Sequence, residues 1–320
     1  MTAWRIRLAL TFVSSALLAG CQSGGSERDW SAQALARPAG GDRPTVVVVN
    51  SAGSLVPGQH RLAVGLFTAE GSMVHDAALT ARLYRLNGDT GEFVREITLQ
   101  RSQLPGEGEH PHDASGAQLH NADVAPLVTV YVAPVEFDRA SDWGLDVSGR
   151  IDGKSVKGLR ARFPVLATSI IPAVGAAVPA SEQRTLRDVK DITQIDSSNQ
   201  PDPELHAETL KEALATGQPI VLAVATPRFC QTRFCGPVLE GAVLPVWRQH
   251  RGKVRVLHVE PFDLAKANAG QLEAVPMMSQ WGLQTEPWVF VIDGQGKMAA
   301  RFEGVVTSGE ISAVLDRLLR

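Results

Sequence analysis

The chain has 320 residues, a formal net charge of −3, and hydrophobic residues at 44% of its positions. Its nearly balanced charge lacks the strongly basic footprint of a nucleic-acid-binding protein, so no nucleic-acid partner is expected. A chain of this length predicts two domains. Only three cysteines occur, at positions 21, 230 and 235.

The first 20 residues, Met1–Gly20, have the pattern of a secretory signal peptide. Arg5 and Arg7 precede an apolar stretch that is short for a transmembrane helix, and small residues follow it. The ending "LAGC" resembles the lipobox of bacterial lipoproteins, which implies that Cys21 is lipidated and becomes the first mature residue. A signal peptide with a chance cysteine is the alternative. We therefore expect a lipoprotein anchored to the membrane on the extracytoplasmic side of the cell envelope, with the Gly- and Ser-rich residues 21–44 as a flexible tether.

Residues 45–166 contain short stretches in which apolar and polar residues alternate. Examples are "RLAVGLF", "LTARLYRL" and "DWGLDV", and the turn signals "LNGD" and "IDGK" lie at 86–89 and 151–154. This spacing predicts an all-β immunoglobulin-like sandwich, with a small barrel as the alternative. No cysteine lies in this domain, so it lacks the antibody-type bridge. Its segment "HPHDASGAQLH" holds His110, His112 and His120, which are either metal ligands or part of a solvated loop.

Residues 167–203 are predicted to be a linker and an extended arm, because they begin Pro- and Ala-rich and continue with polar residues. From residue 204 the pattern changes to alternating helices and strands, which predicts an α/β layout with a mixed sheet. The run "PIVLAVAT" reads as a buried strand, and "WVFVIDGQGKMAARFEG" as a hairpin. The segment "LEGAVLPVWRQH" reads as a helix that Pro245 should bend. The last helix is predicted to begin at Ser308 as its N-cap.

Residues 204–320 resemble a thioredoxin fold of the kind found in membrane-tethered bacterial thioredoxin-like proteins. The first strand runs into "ATPRFC", as the thioredoxin strand runs into its active-site Trp-Cys. The segment "SQWGLQTEPWVFVIDGQGK" is similar to the stretch in which that family places a cis-proline opposite the active cysteine. The resemblance implies that Pro287 is this residue, and that Cys230 and Cys235 are the catalytic pair.

The cysteine motif departs from the Cys-x-x-Cys of that family, because four residues separate the two cysteines. Counting back along the strand matches Cys230 to the nucleophile, whereas "FCGPV" would match Cys235; we favour Cys230. Cysteines five positions apart in a regular helix differ by about 7.5 Å in height, whereas a disulfide needs Cα atoms within about 7 Å. The pair can therefore close only if "QTRF" is not a regular helix.

The residues around the pair argue both for and against redox chemistry. Arg228 and Arg233 lie close in sequence to a cysteine, and a helix starting near Pro237 would favour a thiolate. The buried Asp that thioredoxin carries on the preceding strand is absent, since Val224 stands there in the favoured register. Glu286 precedes Pro287, where a carboxylate facing the sulfurs opposes a thiolate.

The sequence is compatible with three functions. The favoured one is thiol–disulfide exchange with protein thiols and disulfides of the envelope, without a cofactor. A copper carrier similar to the Sco type is the first rival, because that family places two cysteines and a distant histidine on this fold, and His258 could supply the third ligand. A half-buried structural histidine is the alternative for His258. The second rival is a non-catalytic binding or scaffold module in which the disulfide only holds a loop.

Overall fold

The structure is a computed structural model that describes residues 28–31, 35, 43–51, 53–105 and 127–320. The predicted signal peptide, Cys21, most of the predicted tether and the histidines at positions 110, 112 and 120 lie outside these ranges. Among the described helices, none is both long enough and apolar enough to cross a membrane.

Eight strands of the N-terminal half form one antiparallel sheet. They are β1 (Arg28–Asp29), β2 (Thr45–Val48), β3 (Gly58–Phe67), β4 (Ala77–Asn87), β5 (Thr90–Leu104), β6 (Val128–Phe137), β7 (Ser141–Ile151) and β8 (Lys154–Val165). The strand order is β2-β3-β6-β5-β4-β7-β8, and β1 pairs with β5. Strands β2 and β8, at the two ends of this order, lie next to each other, and Arg43 donates hydrogen bonds to the carbonyl groups of Lys157 and Gly158. The sheet is therefore a nearly closed barrel.

The predicted immunoglobulin-like sandwich is wrong, and the barrel alternative is the better description. The long strand β5 is the reason. Its residues up to Leu99 pair with β4, and its residues from Gln100 onwards pair with β6, so one strand carries the hydrogen bonding around the barrel. Alternating polarity gives one buried face in either architecture, and so the sequence pattern does not separate them. The predicted turns at 86–89 and 151–154 are confirmed as the β4–β5 and β7–β8 connections.

A bulge interrupts the pairing of β7 with β8 between Val147 and Gly149. Gly149 has φ 157°, and a Cβ atom there would lie 2.0 Å from the carbonyl oxygen of Ala78 on β4. Glycine is needed at this position because β4 passes so close.

The barrel encloses a continuous apolar core. Its fully buried large side chains include Leu62, Leu66, Leu83, Tyr131, Phe137 and Trp143. The rings of Phe137 and Trp143 meet edge to face, with centroids 4.9 Å apart. Residues two apart on one strand, such as Leu62, Val64 and Leu66, point to the same side, as the sequence predicts.

The C-terminal region contains a second, four-stranded sheet. Its strands are β9 (Ile220–Val224), β10 (Arg255–Val259), β11 (Trp288–Ile292) and β12 (Met298–Glu303), in the order β10-β9-β11-β12. Strands β9 and β10 are parallel, whereas β11 is antiparallel to both β9 and β12. The α-helices are α1 (Leu210–Ala215), α2 (Cys235–Val238), α3 (Leu244–Gln249), α4 (Leu264–Asn268), α5 (Pro276–Trp281) and α6 (Ser308–Leu318). Short 3-10 helices span Leu186–Asp188, Ile192–Gln194 and Pro203–His206.

The predicted α/β thioredoxin-like fold class is also wrong, because the chain is mostly β and its helices are short. Among the described α-helices, only α6 exceeds six residues. The predicted helix that contains Pro245 is divided into α2, a π-helical turn at Leu239–Val243, and α3, since proline supplies no N–H to the preceding turn. Helix α6 is capped by Thr307, one residue before the predicted cap. The structure thus gives no clear α/β thioredoxin fold.

The two sheets share one apolar core at their junction. Leu104, Val128 and Val130 of the barrel belong to the same cluster as Val289 of β11 and Val305, which follows β12. Polar contacts reinforce this junction, since Arg61 of β3 donates one hydrogen bond to the carboxylate of Glu310 on α6 and another to the carbonyl oxygen of Val305. The predicted domain boundaries are not tested by this packing and stay a prediction.

The predicted linker runs along the second sheet and is bonded to it. Gly175 donates a backbone hydrogen bond to Met298, and Val178 donates one to Gly296 in the β11–β12 turn. Ser181 accepts a hydrogen bond from the indole N–H of Trp281 at 3.0 Å. This segment is therefore part of the C-terminal structure.

Candidate functional site

The cysteine pair lies in the loop that follows the wholly buried strand β9. Cys230 and Cys235 form a disulfide, and their Cα atoms are 6.0 Å apart. The intervening residues are not helical, and Arg233 among them has a left-handed φ of 63°. The chain then enters helical conformation at Cys235, the first residue of α2. This is the local geometry that the sequence requires for closure of the pair.

The two sulfurs have different surroundings. Cys230 is partly exposed, whereas Cys235 is completely buried. Sγ of Cys230 lies 3.3 Å from the hydroxyl of Thr232 and accepts a hydrogen bond from the backbone N–H of Cys235 at 3.3 Å. Because this N–H stands at the start of a helical run, it has no carbonyl partner within the helix. The backbone N–H is oriented to stabilise negative charge on Cys230, and the single hydrogen of the Thr232 hydroxyl is shared between this sulfur and the carbonyl oxygen of Glu286.

Glu286 faces the disulfide from the loop before β11. A carboxylate oxygen of Glu286 and the two sulfurs all lie within 4.8 Å of one another. Its Oε1 atom accepts a hydrogen bond from the backbone N–H of Gln231 at 3.3 Å. The side chain is buried, and this burial raises the pKa of the Glu286 carboxyl. The sequence predicted a carboxylate at this place, and the structure brings it to the sulfurs.

Pro287 follows a cis peptide bond, as the resemblance implies. The carbonyl oxygen of Glu286, which belongs to that bond, lies 3.4 Å from the Thr232 hydroxyl. The cis peptide is thus in contact with the cysteine loop.

The two arginines next to the pair both point into solvent. The guanidinium of Arg228 lies 5.7 Å from the ring centroid of Phe229, and Arg233 is exposed. Within the described residues, neither guanidinium donates a hydrogen bond to Cys230 or Cys235. Their predicted role in stabilising a thiolate stays a prediction, and the donors in contact with the sulfur are Thr232 and the backbone.

His258 lies in a different cluster from the cysteines. It stands near the carboxyl end of β10, where Asp196 and His206 also meet. Oδ2 of Asp196 is 2.9 Å from Nε2 of His206 and 3.5 Å from Nδ1 of His258. All three side chains are buried. The structure therefore places His258 with an aspartate and a second histidine, and places Glu286 with the cysteines.

The charges in this cluster depend on one another. Burial pulls the pKa of His258 down, but the Asp196 carboxylate more than offsets this and raises it to about 9. The Asp196 pKa is held well below its usual range, since His258 and His206 outweigh the effect of burial. Burial lowers the pKa of His206 and raises that of Glu260. In this arrangement the Asp196 carboxylate and a positive charge at His258 stabilise each other.

A short segment joins this cluster to the cysteine loop. Ser197 accepts a hydrogen bond from the backbone N–H of Arg228 at 3.1 Å, and its own N–H donates to Oε1 of Glu260 at 2.7 Å. Nε2 of His258 is 2.9 Å from the carbonyl oxygen of Ala225, so it donates there. The start of the cysteine loop is thus hydrogen-bonded to the side chains of Ser197 and His258.

Sequence reasoning missed Asp196, Ser197, His206 and Glu260. One signal was present: β9 and β10 are parallel, and parallel strands end at the same edge of a sheet. The "HVE" at 258–260 therefore had to lie beside "ATPR" at 225–228. Asp196 and Ser197 carried no such signal, because they lie in a polar segment whose path depends on tertiary contacts.

Comparisons with known proteins give little guidance. No protein-family model matches the chain, and no curated protein matches it. Among solved structures, the crystal structure of a DsbF homologue from Corynebacterium diphtheriae is 22% identical and covers 33% of this chain and 76% of its own, with a TM-score of 0.25. A TM-score this low supports no functional argument. The chain has a weak structural neighbour and a disulfide-forming cysteine pair, and its function is inferred from the site itself.

Proposed function

We propose that the Cys230–Cys235 pair performs thiol–disulfide exchange with protein thiols and disulfides in the cell envelope. In this proposal, lipid on Cys21 holds the protein at the membrane on the extracytoplasmic side. The observation that supports exchange best is the difference between the sulfurs. Cys230 is partly exposed, accepts the backbone N–H of Cys235 and lies beside the Thr232 hydroxyl, whereas Cys235 is buried. An accessible sulfur with a stabilised thiolate is the one that attacks or is attacked.

The exchange balances in either direction. To oxidise a dithiol, a substrate thiolate attacks Sγ of Cys230, the disulfide breaks, and Cys235 leaves as a thiolate that takes up a proton. The second substrate thiolate then attacks the substrate sulfur of the mixed disulfide and releases Cys230. The substrate loses two electrons and two protons, which the protein gains. In the reverse direction Cys230 attacks a substrate disulfide, and Cys235 resolves the mixed disulfide.

Glu286 is the group placed to handle the proton of this step. It lies within 4.8 Å of both sulfurs, and its raised pKa allows it to hold a proton closer to neutral pH than an exposed glutamate can. The buried Asp of thioredoxin is absent from β9, and in this proposal Glu286, which precedes the cis-proline, takes its role. No cofactor is required.

The copper-carrier alternative has less support, because the expected third ligand, His258, lies in a different cluster from the cysteines. Nε2 of His258 faces the carbonyl oxygen of Ala225 and Nδ1 faces Asp196, so neither nitrogen is directed at the cysteines. A copper site at Cys230 and Cys235 would have to take Glu286 as its neighbour, and a carboxylate is a poor ligand for Cu(I).

The test uses the full chain equilibrated in glutathione redox buffers. We expect a reduction potential above about −300 mV, the level below which structural disulfides typically lie. In addition, the Cys235→Ser variant should accumulate a mixed disulfide with glutathione through Cys230, and the Cys230→Ser variant should accumulate far less. A disulfide that resists the buffers, together with equal trapping in the two variants, would show that the pair only holds the loop.

A further inference from the structure

Three side chains from separate parts of the chain meet in the cluster of Asp196, His206 and His258. Asp196 comes from the segment after the second 3-10 helix, His206 ends the third, and His258 lies on β10. Their relative exposures are 2%, 3% and 1%. The two imidazole rings stand nearly edge to face, with centroids 5.1 Å apart. Buried groups of this kind need partners that satisfy both their charges and their lone pairs.

The hydrogen bond of His258 to the main chain fixes its tautomer. Because Nε2 lies 2.9 Å from the carbonyl oxygen of Ala225, Nε2 must carry a hydrogen. In the neutral ring, Nδ1 then presents a lone pair. That atom has no hydrogen-bond partner among the described residues, and it faces Oδ2 of Asp196 across 3.5 Å. A lone pair and a carboxylate repel each other, so a positive species belongs between them, either a proton on Nδ1 or a metal cation.

The distances suit a metal cation. Zinc binds imidazole nitrogen at about 2.0–2.1 Å and carboxylate oxygen at about 2.0–2.2 Å, so tetrahedral ligand atoms lie about 3.3 Å apart. The separations of 2.9 Å and 3.5 Å from Oδ2 of Asp196 to the two nitrogens lie on either side of this value. All three ligand atoms lie within 4.8 Å of one another.

Hydrogen bonds to the far side of His258 and Asp196 hold these side chains in the orientation that metal ligands need. Metal-bound histidines almost always donate their other ring N–H to a carbonyl or carboxylate, as His258 does to Ala225. The second oxygen of Asp196, Oδ1, accepts the backbone N–H of Ser198 at 2.8 Å, which leaves Oδ2 for the cation.

The cluster also opens onto a cavity. A cavity of about 350 Å³ is lined by His206, His258 and Glu260, among other residues. Glu260 is buried there beside the Thr226 hydroxyl, and its Oε1 atom accepts the backbone N–H of Ser197. A fourth ligand on the cavity side would meet these polar atoms. Three protein ligands and one open position are typical of zinc sites that bind a water or a small molecule.

We propose that Asp196, His206 and His258 bind a divalent first-row transition-metal cation of the zinc class, with a water or small anion in the fourth position beside Glu260. Two imidazoles and one carboxylate suit Zn²⁺, Co²⁺ or Ni²⁺. The site is separate from the cysteine pair and does not depend on the proposed exchange reaction.

The experiment titrates Zn²⁺ into the chelator-treated, oxidised full chain against a competing chromophoric chelator. Because the disulfide is intact, neither Cys230 nor Cys235 can act as a thiolate ligand. We expect one Zn²⁺ per chain, a rise in melting temperature with Zn²⁺ concentration, and a tetrahedral spectrum when Co²⁺ replaces it. His206→Ala and His258→Ala should each weaken binding by at least about 100-fold, given that outer contacts alone are worth about 10–100-fold.

Two matched variants complete the test. His250→Ala removes another buried histidine, whose Nε2 has no hydrogen-bond partner in the described part of the chain, and it should bind Zn²⁺ as the wild type does. The Cys230→Ser and Cys235→Ser double variant should also retain binding. If a ligand variant does not fold, the Zn²⁺ titration of the wild type alone decides whether the site binds metal. No binding of Zn²⁺, Co²⁺ or Ni²⁺ to the wild type would overturn the proposal and leave a proton between Asp196 and His258, and so would binding that the His206 and His258 variants leave unchanged.

Discussion

The backbone N–H of Cys235 donates a hydrogen bond to the sulfur of Cys230. The buried partner of the disulfide thus helps to hold charge on the exposed one after the bond is broken. Thr232 reaches the same sulfur from the loop between them. These contacts make the two cysteines chemically unequal, because they favour a thiolate at Cys230 rather than at the buried Cys235.

Removal of the Thr232 hydroxyl should slow the reaction of the reduced protein with iodoacetamide at neutral pH. We expect Thr232→Val to react about fivefold more slowly at Cys230, equivalent to a lost hydrogen bond of about 1 kcal/mol. Thr90→Val is the matched control, since its hydroxyl bonds to Asn87 on the distant β4–β5 turn. Mass spectrometry of the alkylated peptides measures the rate, and equal rates in the wild type and Thr232→Val would contradict the prediction.

Replacement of Glu286 by Gln should change how stability depends on pH. The folded-state pKa of Glu286 is raised, so the folded protein binds its proton more tightly than the unfolded chain does. Stability from this group is therefore greatest at low pH and falls as pH rises through the folded pKa. Glu286→Gln should melt higher than the wild type at pH 7, by about 2 °C for each 1 kcal/mol of relief. The difference should disappear near pH 4.

The control for this experiment is Glu136→Gln, on the exposed side of β6. Its melting temperature should follow that of the wild type at both pH values. A Glu286→Gln variant that is less stable than the wild type at pH 7 would mean that the carboxylate is favourable where it stands.

Loss of the Ser197 hydroxyl should loosen the start of the cysteine loop. In Ser197→Ala the N–H of Arg228 loses its acceptor, which lies at 3.1 Å. We expect hydrogen–deuterium exchange at the Arg228 amide to be about fivefold faster, for a bond worth about 1 kcal/mol. Ser198→Ala is the neighbouring control, because Ser198 contributes its backbone N–H to Asp196. Unchanged exchange at Arg228 would show that this bond does not hold the loop.

Arg301 joins three parts of the molecule, and its loss should be costly. From β12 its guanidinium donates to the carbonyl oxygens of Ser54, Ile171 and Pro172 and to the Ser169 hydroxyl. Arg301→Met should lower the free energy of unfolding by about 2 kcal/mol, since it leaves several acceptors unsatisfied.

Urea denaturation measures this loss, and protease cleavage near residue 170 should become faster. Arg317→Met, on the exposed face of α6, should change stability by less than about 0.5 kcal/mol. Similar losses in the two variants would argue against a special role for Arg301.

The anchoring prediction depends on the sequence "LAGC". Cys21→Ser should either block processing or release the protein from the membrane fraction, because the acceptor of the lipid is gone. Fractionation and intact-mass measurement of the mature protein check this. A Cys21→Ser protein that is processed and stays with the membrane like the wild type would exclude the lipoprotein interpretation.

The local features of the site could be predicted from the sequence, and the long-range ones could not. The buried strand before Cys230, the non-helical loop to Cys235 and the position of Glu286 beside Pro287 depend on short stretches with clear patterns. The closure of the barrel depends on β5 pairing with β4 along its first part and with β6 along its last part. The alternation of polar and apolar residues does not show which strands pair. The cluster around Asp196 depends on the path of a polar segment, and composition gives the same prediction for a free linker as for one bonded to a sheet.

The hydrogen bonds of residues 167–203 to the C-terminal sheet matter for any fragment cut from this chain. A fragment cut at Glu204 would lack Asp196 and Ser197, and with them the carboxylate beside His258 and the acceptor for the Arg228 amide. It would also lack Ser181, the partner of Trp281. Any transplant of the cysteine loop into another protein therefore has to include residues 167–203, because Ser197 in this segment accepts the hydrogen bond of the Arg228 amide at the start of the loop.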